Sequence, residues 1–162
     1  MIKPSLSLFL FLISTIIASE FQITVGDKAP PISLFKLESN KYFRSKDYLG
    51  EKNLVVSFFA TWCVPCAKEI PELIKLSEEF SADFEFILID VNEKRNIVRA
   101  YVDKNNISLP VIWDKYGVVF EKYGGGGLPL LAVINKKGHI TYLHSGYEEG
   151  DEKVLKNHLE TF

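Results

Sequence analysis

The stretch Leu54-Val55-Val56-Ser57-Phe58-Phe59-Ala60-Thr61-Trp62-Cys63-Val64-Pro65-Cys66-Ala67-Lys68-Glu69-Ile70 carries the only two cysteines of the chain. Leu54 to Phe59 is a continuous apolar run of β-branched and aromatic residues, which predicts a central strand buried on both faces. From Ala67 onward, Ile70, Leu73, Ile74 and Phe80 form a stripe at helical spacing. Pro71 lies inside that stripe and is expected to kink the helix, because it removes a hydrogen bond. Cys63 therefore sits where a strand ends and a helix begins. Unpaired N–H groups and the positive end of the helix dipole favour an anion there. A thiolate is such an anion, and it is the reactive form of cysteine. Cys63 is the expected nucleophile. Cys66, one turn later, is within reach to close an internal disulfide and is the expected resolving thiol.

Other uses of a C-x-x-C pair make different demands. Half of a zinc site needs two further ligands. The chain has no other cysteine, and His139, His144 and His158 offer no matching pair, since His139 and His144 share a predicted strand. Covalent haem attachment needs a histidine after the second cysteine, and Ala67 stands there. A structural disulfide gains most by closing a long loop, and a bond within one helical turn constrains almost nothing.

Phe58 to Leu73, with Ala60-Thr61-Trp62-Cys63-Val64-Pro65-Cys66 followed by Glu69-Ile70-Pro71, resembles the thioredoxin superfamily. It is most similar to the TlpA/ResA-type branch of extracytoplasmic thiol–disulfide oxidoreductases. The resemblance implies a thioredoxin-like α/β fold: a central mixed β-sheet flanked by helices, with an N-terminal strand or hairpin extension and a central strand–helix insertion. Glu69 lies three residues after Cys66, on the same helical face, where a carboxylate can take the proton of Cys66. The plain alternative is a solvated surface glutamate. ResA-like proteins place a functional glutamate at this offset. Ser57 departs from thioredoxin itself, where the strand often carries a buried acid, so any proton relay must use another group.

The rest of the chain fits that frame. Gly26-Asp27, Pro30-Pro31 and Ser39-Asn40-Lys41 are turn signals around short alternating segments, read as an N-terminal strand or hairpin with a short helix near Ser45 to Leu49. Phe84 to Val91 reads as a second core strand, Glu93 to Asn105 as a helix, Leu109 to Trp113 as a short strand and Val118 to Tyr123 as a short helix. Gly124-Gly125-Gly126-Gly127 lacks the Lys-Ser/Thr of a phosphate loop and precedes a strand, so by itself it reads as a flexible turn. By resemblance, Gly127-Leu128-Pro129 is the loop whose cis-proline faces the cysteine pair. Leu128 and Pro129, with Trp62 and Pro65, are then the expected substrate-binding residues. Leu130 stands where the family often has a small polar residue. Leu130 to Ile134 and His139 to Leu143 read as a hairpin, and Asp151 to Leu159 as a terminal helix.

Lys3 precedes an apolar run from Leu6 to Ala18, followed by Ser19-Glu20. This is the form of a secretory signal, and it is short for a bilayer span. Residues 1–19 read as a signal peptide or an N-terminal membrane anchor, and residues 20–162 as one domain. Export would place the cysteine pair where disulfides persist. The chain is 47% hydrophobic and 25% charged, with a formal net charge of -2, which leaves no nucleic-acid footprint.

The expected activity is a thiol–disulfide oxidoreductase, more specifically an extracytoplasmic protein disulfide reductase. Val64-Pro65 gives no charge or donor to hold the thiolate, and a less stabilised thiolate makes a more reducing pair. The resemblance implies protein thiol or disulfide substrates, with apocytochrome c among them, a membrane thiol reductant, a monomer, and no cofactor or metal. Two other activities are compatible with a cysteine pair. A peroxiredoxin-type peroxidase needs a threonine three residues before its nucleophile, and Thr61 is two before Cys63. A copper metallochaperone would use both thiols as soft ligands.

Overall fold

The computed structural model describes residues 23–162, so the signal or anchor expected over residues 1–19 lies outside the described residues. The chain forms β1 (Ser33–Lys36), β2 (Tyr42–Arg44), a 3-10 turn (Ser45–Tyr48), β3 (Asn53–Phe59), α1 (Val64–Glu79), β4 (Phe84–Val91) and α2 (Arg95–Lys104). It continues with β5 (Val111–Asp114), α3 (Val118–Lys122), β6 (Leu130–Ile134), β7 (Ile140–Ser145) and α4 (Asp151–Leu159). The strands make one seven-stranded mixed sheet in the order β2-β1-β5-β4-β3-β6-β7.

The apolar run Leu54 to Phe59 lies within β3, and all of that strand is buried. Its neighbours are β4, parallel, and β6, antiparallel. Successive side chains of a strand point to opposite faces, and β3 divides accordingly. Val55 and Phe59 join Ile70, Leu73, Val98 and Leu155 on the face covered by α1, α2 and α4. Leu54, Val56 and Phe58 join Ile32, Phe43, Val119 and Tyr123 on the face covered by α3 and the N-terminal segment. Both phenylalanines are fully buried, and each contributes about 2 kcal/mol by leaving water. Ser57 falls on the α1 side by the same alternation, as the one polar side chain in the middle of the strand.

Three expectations of local structure hold with small shifts of boundary. The N-terminal hairpin is β1 paired antiparallel with β2. The expected central insertion corresponds to α2 and β5, with β5 running parallel to β4 and antiparallel to β1. Arg95, the first residue of α2, fastens the hairpin: its Nη2 donates to the carbonyls of Leu37 at 2.6 Å and Ser39 at 2.9 Å. The terminal helix spans the residues read from sequence. Helix α1 runs on through Pro71 without interruption. Proline's cost falls on one hydrogen bond, which the apolar contacts of Ile70 and Leu73 outweigh.

Candidate active site

β3 and α1 meet at the cysteine pair. Cys63 is the N-cap of α1, with Val64 and Pro65 as the first two helical residues. Proline suits that position, because its missing N–H is one of the helix's unpaired donors anyway. The Cys66 N–H donates to Cys63 Sγ at 3.2 Å. A helix-terminal N–H aimed at the sulfur favours its thiolate form. The two cysteines form a disulfide, with Cα atoms 5.3 Å apart. Cys63 is 5% exposed and Cys66 wholly buried, while Trp62 beside them is 71% exposed. Both cysteines are thus buried, Cys63 slightly less than Cys66.

The turn before Cys63 is clamped from the loop between β4 and α2. Glu93 accepts from the Thr61 N–H at 2.6 Å and from Thr61 Oγ1 at 2.7 Å. Its backbone carbonyl accepts from Trp113 Nε1 at 2.8 Å. Below it, Asp90 is fully buried at the end of β4, paired in register with Phe59 of β3. Neither Asp90 oxygen receives a hydrogen bond among the described residues. Its polar neighbour, the Glu93 carboxylate, is itself an acceptor, so a bond between the two requires that one carry the proton. Burial first, and then Glu93, push Asp90 up to about 8.

Glu69 is buried, at 4% exposure, and is not a solvated surface glutamate. It projects from the same helical face as Cys66, one turn on. Ser57 Oγ donates to Glu69 Oε2 at 2.6 Å. Burial pushes the Glu69 carboxyl up to about 7, the Ser57 hydroxyl pulls against that shift, and the charge of Asp151 adds to it. A carboxyl poised near neutrality can take a proton in one step and return it in the next. Ser57, which replaces the buried acid of thioredoxin, is thus the partner that holds the acid supplied by α1.

Opposite Trp62 runs the loop after α3. The Leu128–Pro129 peptide bond is cis. Trp62, Phe120, Gly125, Gly126, Gly127 and Leu128 line one groove of about 320 Å³. Pro129 is buried, and its carbonyl accepts from the Gly146 N–H at 2.7 Å. The glycine run is more than a flexible turn. Gly124 has φ +77°, and a Cβ on Gly125 would stand 2.5 Å from the Phe120 ring. The structure therefore brings Trp62, the residue before Cys63, and Leu128 to one groove; Pro65 at the helix start and the buried Pro129 do not line it.

The sequence reading missed Glu93 and Asp90. Glu93 was legible only as the start of a helix, and Asp90 only as the end of a strand. An acid directly after the apolar run Phe86 to Ile89, with a second acid three residues on, is the signal that could have found them.

A mixed sheet, a cysteine pair capping a helix and a cis-proline loop define a thiol–disulfide oxidoreductase of thioredoxin-like fold. The Redoxin family matches residues 24–159, and the chain belongs to that family. It is 30% identical over 140 residues to the thiol-disulfide oxidoreductase ResA of Geobacillus thermodenitrificans, covering 86% of this chain and 78% of the relative. It is 30% identical over 144 residues to the thioredoxin-like protein YneN of Bacillus subtilis, covering 87% and 83%. A crystal structure from Chlorobium tepidum, described as a thiol:disulfide interchange protein DsbE, superposes with a TM-score of 0.81 at 22% identity, covering 86% of this chain and 98% of that one. The last likeness concerns the fold.

Proposed function

We propose that this thiol–disulfide oxidoreductase is a protein disulfide reductase working outside the cytoplasm, with Cys63 as attacking thiolate, Cys66 as resolving thiol and Glu69 as its base. The observation that carries the reading is the buried Glu69 carboxyl, held by Ser57 at 2.6 Å on the helical face of Cys66. In the reduced protein, the Cys63 thiolate attacks one sulfur of a substrate disulfide. A Cys63–substrate disulfide forms, and the other substrate sulfur leaves as a thiolate. Cys66 then gives its proton to Glu69 and attacks Cys63 Sγ. The Cys63–Cys66 bond forms, the second substrate sulfur leaves as a thiolate, and two electrons have passed to the substrate. A partner dithiol must reverse the last bond, and a membrane thiol reductant fits that need.

Protein substrates bind in the groove lined by Trp62 and Leu128. An extended peptide can pair with the Leu128 backbone as an added strand. The leader-like residues before Glu20 support an extracytoplasmic location, either by secretion or by anchoring. No described helix is long and apolar enough to cross a membrane. Similarity to ResA supports apocytochrome c as one substrate. Trapping tests the thiol roles: Cys66→Ala accumulates a mixed disulfide with a peptide disulfide through Cys63, and Cys63→Ala does not. Equal trapping by both variants would remove the assignment.

A further inference from the structure

Ser57, Leu131 and His144 lie in one line across three strands. Ser57 of β3 is directly opposite Leu131 of β6, and Leu131 is directly opposite His144 of β7. Directly paired residues project to the same face of a sheet. His144 therefore stands on the α1 side, roughly 10 Å from Ser57 at two strand spacings. Glu69 comes down from α1 over this line, and Glu69, Leu131, His144 and Asp151 line one cleft between α1, β7 and α4. His144 Nε2 lies 3.2 Å from Asp151 Oδ2.

The geometry points to the His144–Asp151 pair as a positioning pair that sets the pH at which Glu69 accepts the Cys66 proton. This rests on Glu69 acting as the base of the resolving step. The other titratable groups at the cleft have their own partners or are neutral. Glu72 of α1 is bridged by Lys75 at 2.8 Å. Tyr147, between β7 and α4, donates to Glu152 at 3.0 Å, and Glu152 also accepts from the Gly150 N–H. Tyr142 of β7 packs against the ring of His158 and is neutral in the working range. Asp151 is left as the charge that acts on Glu69 through the cleft. His144 is the group placed to offset that charge, because its Nε2 lies 3.2 Å from Asp151 Oδ2 and a protonated imidazole is a cation. Both members are partly exposed, so the coupling is screened by salt.

The test follows the two thiol-release phases of the reduced full-length protein with dithionitrobenzoate. The first phase reports attack by Cys63, the second reports closure by Cys66. The rate of the second is measured against pH at low ionic strength. Asp151→Asn keeps the shape and an acceptor oxygen, and its midpoint is expected to fall by about half a pH unit. His144→Gln keeps a donor for Asp151 without a titrating ring, and its midpoint is expected to rise by a similar amount. Both shifts shrink in high salt. A general packing defect moves both variants in the same direction and ignores salt. Midpoints that stay at the parent value, or that move together, overturn the proposal. Glu69→Gln separates the two failures. If it abolishes the inflection while the pair variants leave it in place, Glu69 is the base and the pair is idle. If the inflection survives in Glu69→Gln, the base assignment itself falls and the pair with it.

Discussion

Ser57 Oγ donates a 2.6 Å hydrogen bond to Glu69 Oε2, joining the middle of β3 to α1 one turn beyond Cys66. That bond favours the ionised carboxylate, while burial favours the neutral acid. The balance leaves Glu69 at about 7. Removing the hydroxyl removes the lowering influence alone. Ser57→Ala is therefore expected to move the pH midpoint of the Cys66 closure step upward, with the high-pH plateau retained. Glu69→Gln is expected to lower that plateau about 100-fold, the usual scale for loss of a positioned base. Stopped-flow release of a chromogenic thiol against pH reads both effects.

Asp90 makes a prediction about stability. Its folded carboxyl is raised from 3.8 to about 8, so the folded state holds a proton that the unfolded chain has released. In that window the unfolded state binds fewer protons, and stability falls as pH rises. The contribution is fully present below the unfolded value and gone above the folded one. Asp90→Asn supplies a permanently neutral side chain of the same shape. The stability advantage of Asp90→Asn over the parent is expected to grow between about pH 4 and pH 8, as read by urea unfolding at several pH values. A constant difference across that range would contradict a buried, protonated Asp90.

Thr61 depends on Glu93 for both its N–H and its hydroxyl. Hydrogen bonds to a charged acceptor are each worth roughly 1.5–3 kcal/mol. Glu93→Ala is expected to lower stability by about 2 kcal/mol and to slow attack by Cys63, since Thr61 leads directly into Trp62 and Cys63. The midpoint of the Cys66 closure step is expected to stay in place, because Glu93 lies in the loop between β4 and α2 and not in the Glu69 cleft. Thermal unfolding and the first thiol-release phase check the two halves.

Gly125 packs so closely on Phe120 that a Cβ would meet the ring at 2.5 Å. Gly125→Ala must displace Phe120, which with Trp62 and Leu128 lines the groove beside Cys63. The expected result is a several-fold rise in KM for a peptide disulfide with little change for a small disulfide such as oxidised glutathione. Equal effects on both would mean that the groove does not hold the peptide.

The fold was legible because its strongest signals were local. A wholly buried central strand needs an uninterrupted apolar run, and Leu54 to Phe59 supplied one. The helix positions followed from apolar periodicity and from acids at the start of α4. The cysteine pair was legible because its chemistry requires a fixed spacing at a helix start. Ser57 and Glu93 were not legible, because their roles depend on partners twelve and thirty-two residues away in sequence. No periodicity records that the loop after β4 delivers Glu93 to the Thr61 turn. Asp90 read as the polar end of a strand, since sequence shows which residue type is present and not whether a donor reaches it. His144 had been considered only as a metal ligand. Its pairing with Asp151 and its register opposite Leu131 arise from the β6–β7 hairpin and the docking of α4.

The reduction potential of the Cys63–Cys66 pair tests the account most directly. Val64 and Pro65 supply no side-chain donor or positive charge to the Cys63 thiolate, and a less stabilised thiolate is expected to make a more reducing pair. Equilibration of the full-length protein with glutathione or dithiothreitol buffers at pH 7 gives the value. The account predicts a potential well below about -200 mV, on the reducing side of the known range. A potential near about -120 mV, at the strongly oxidising end, would make the protein a disulfide donor and contradict it.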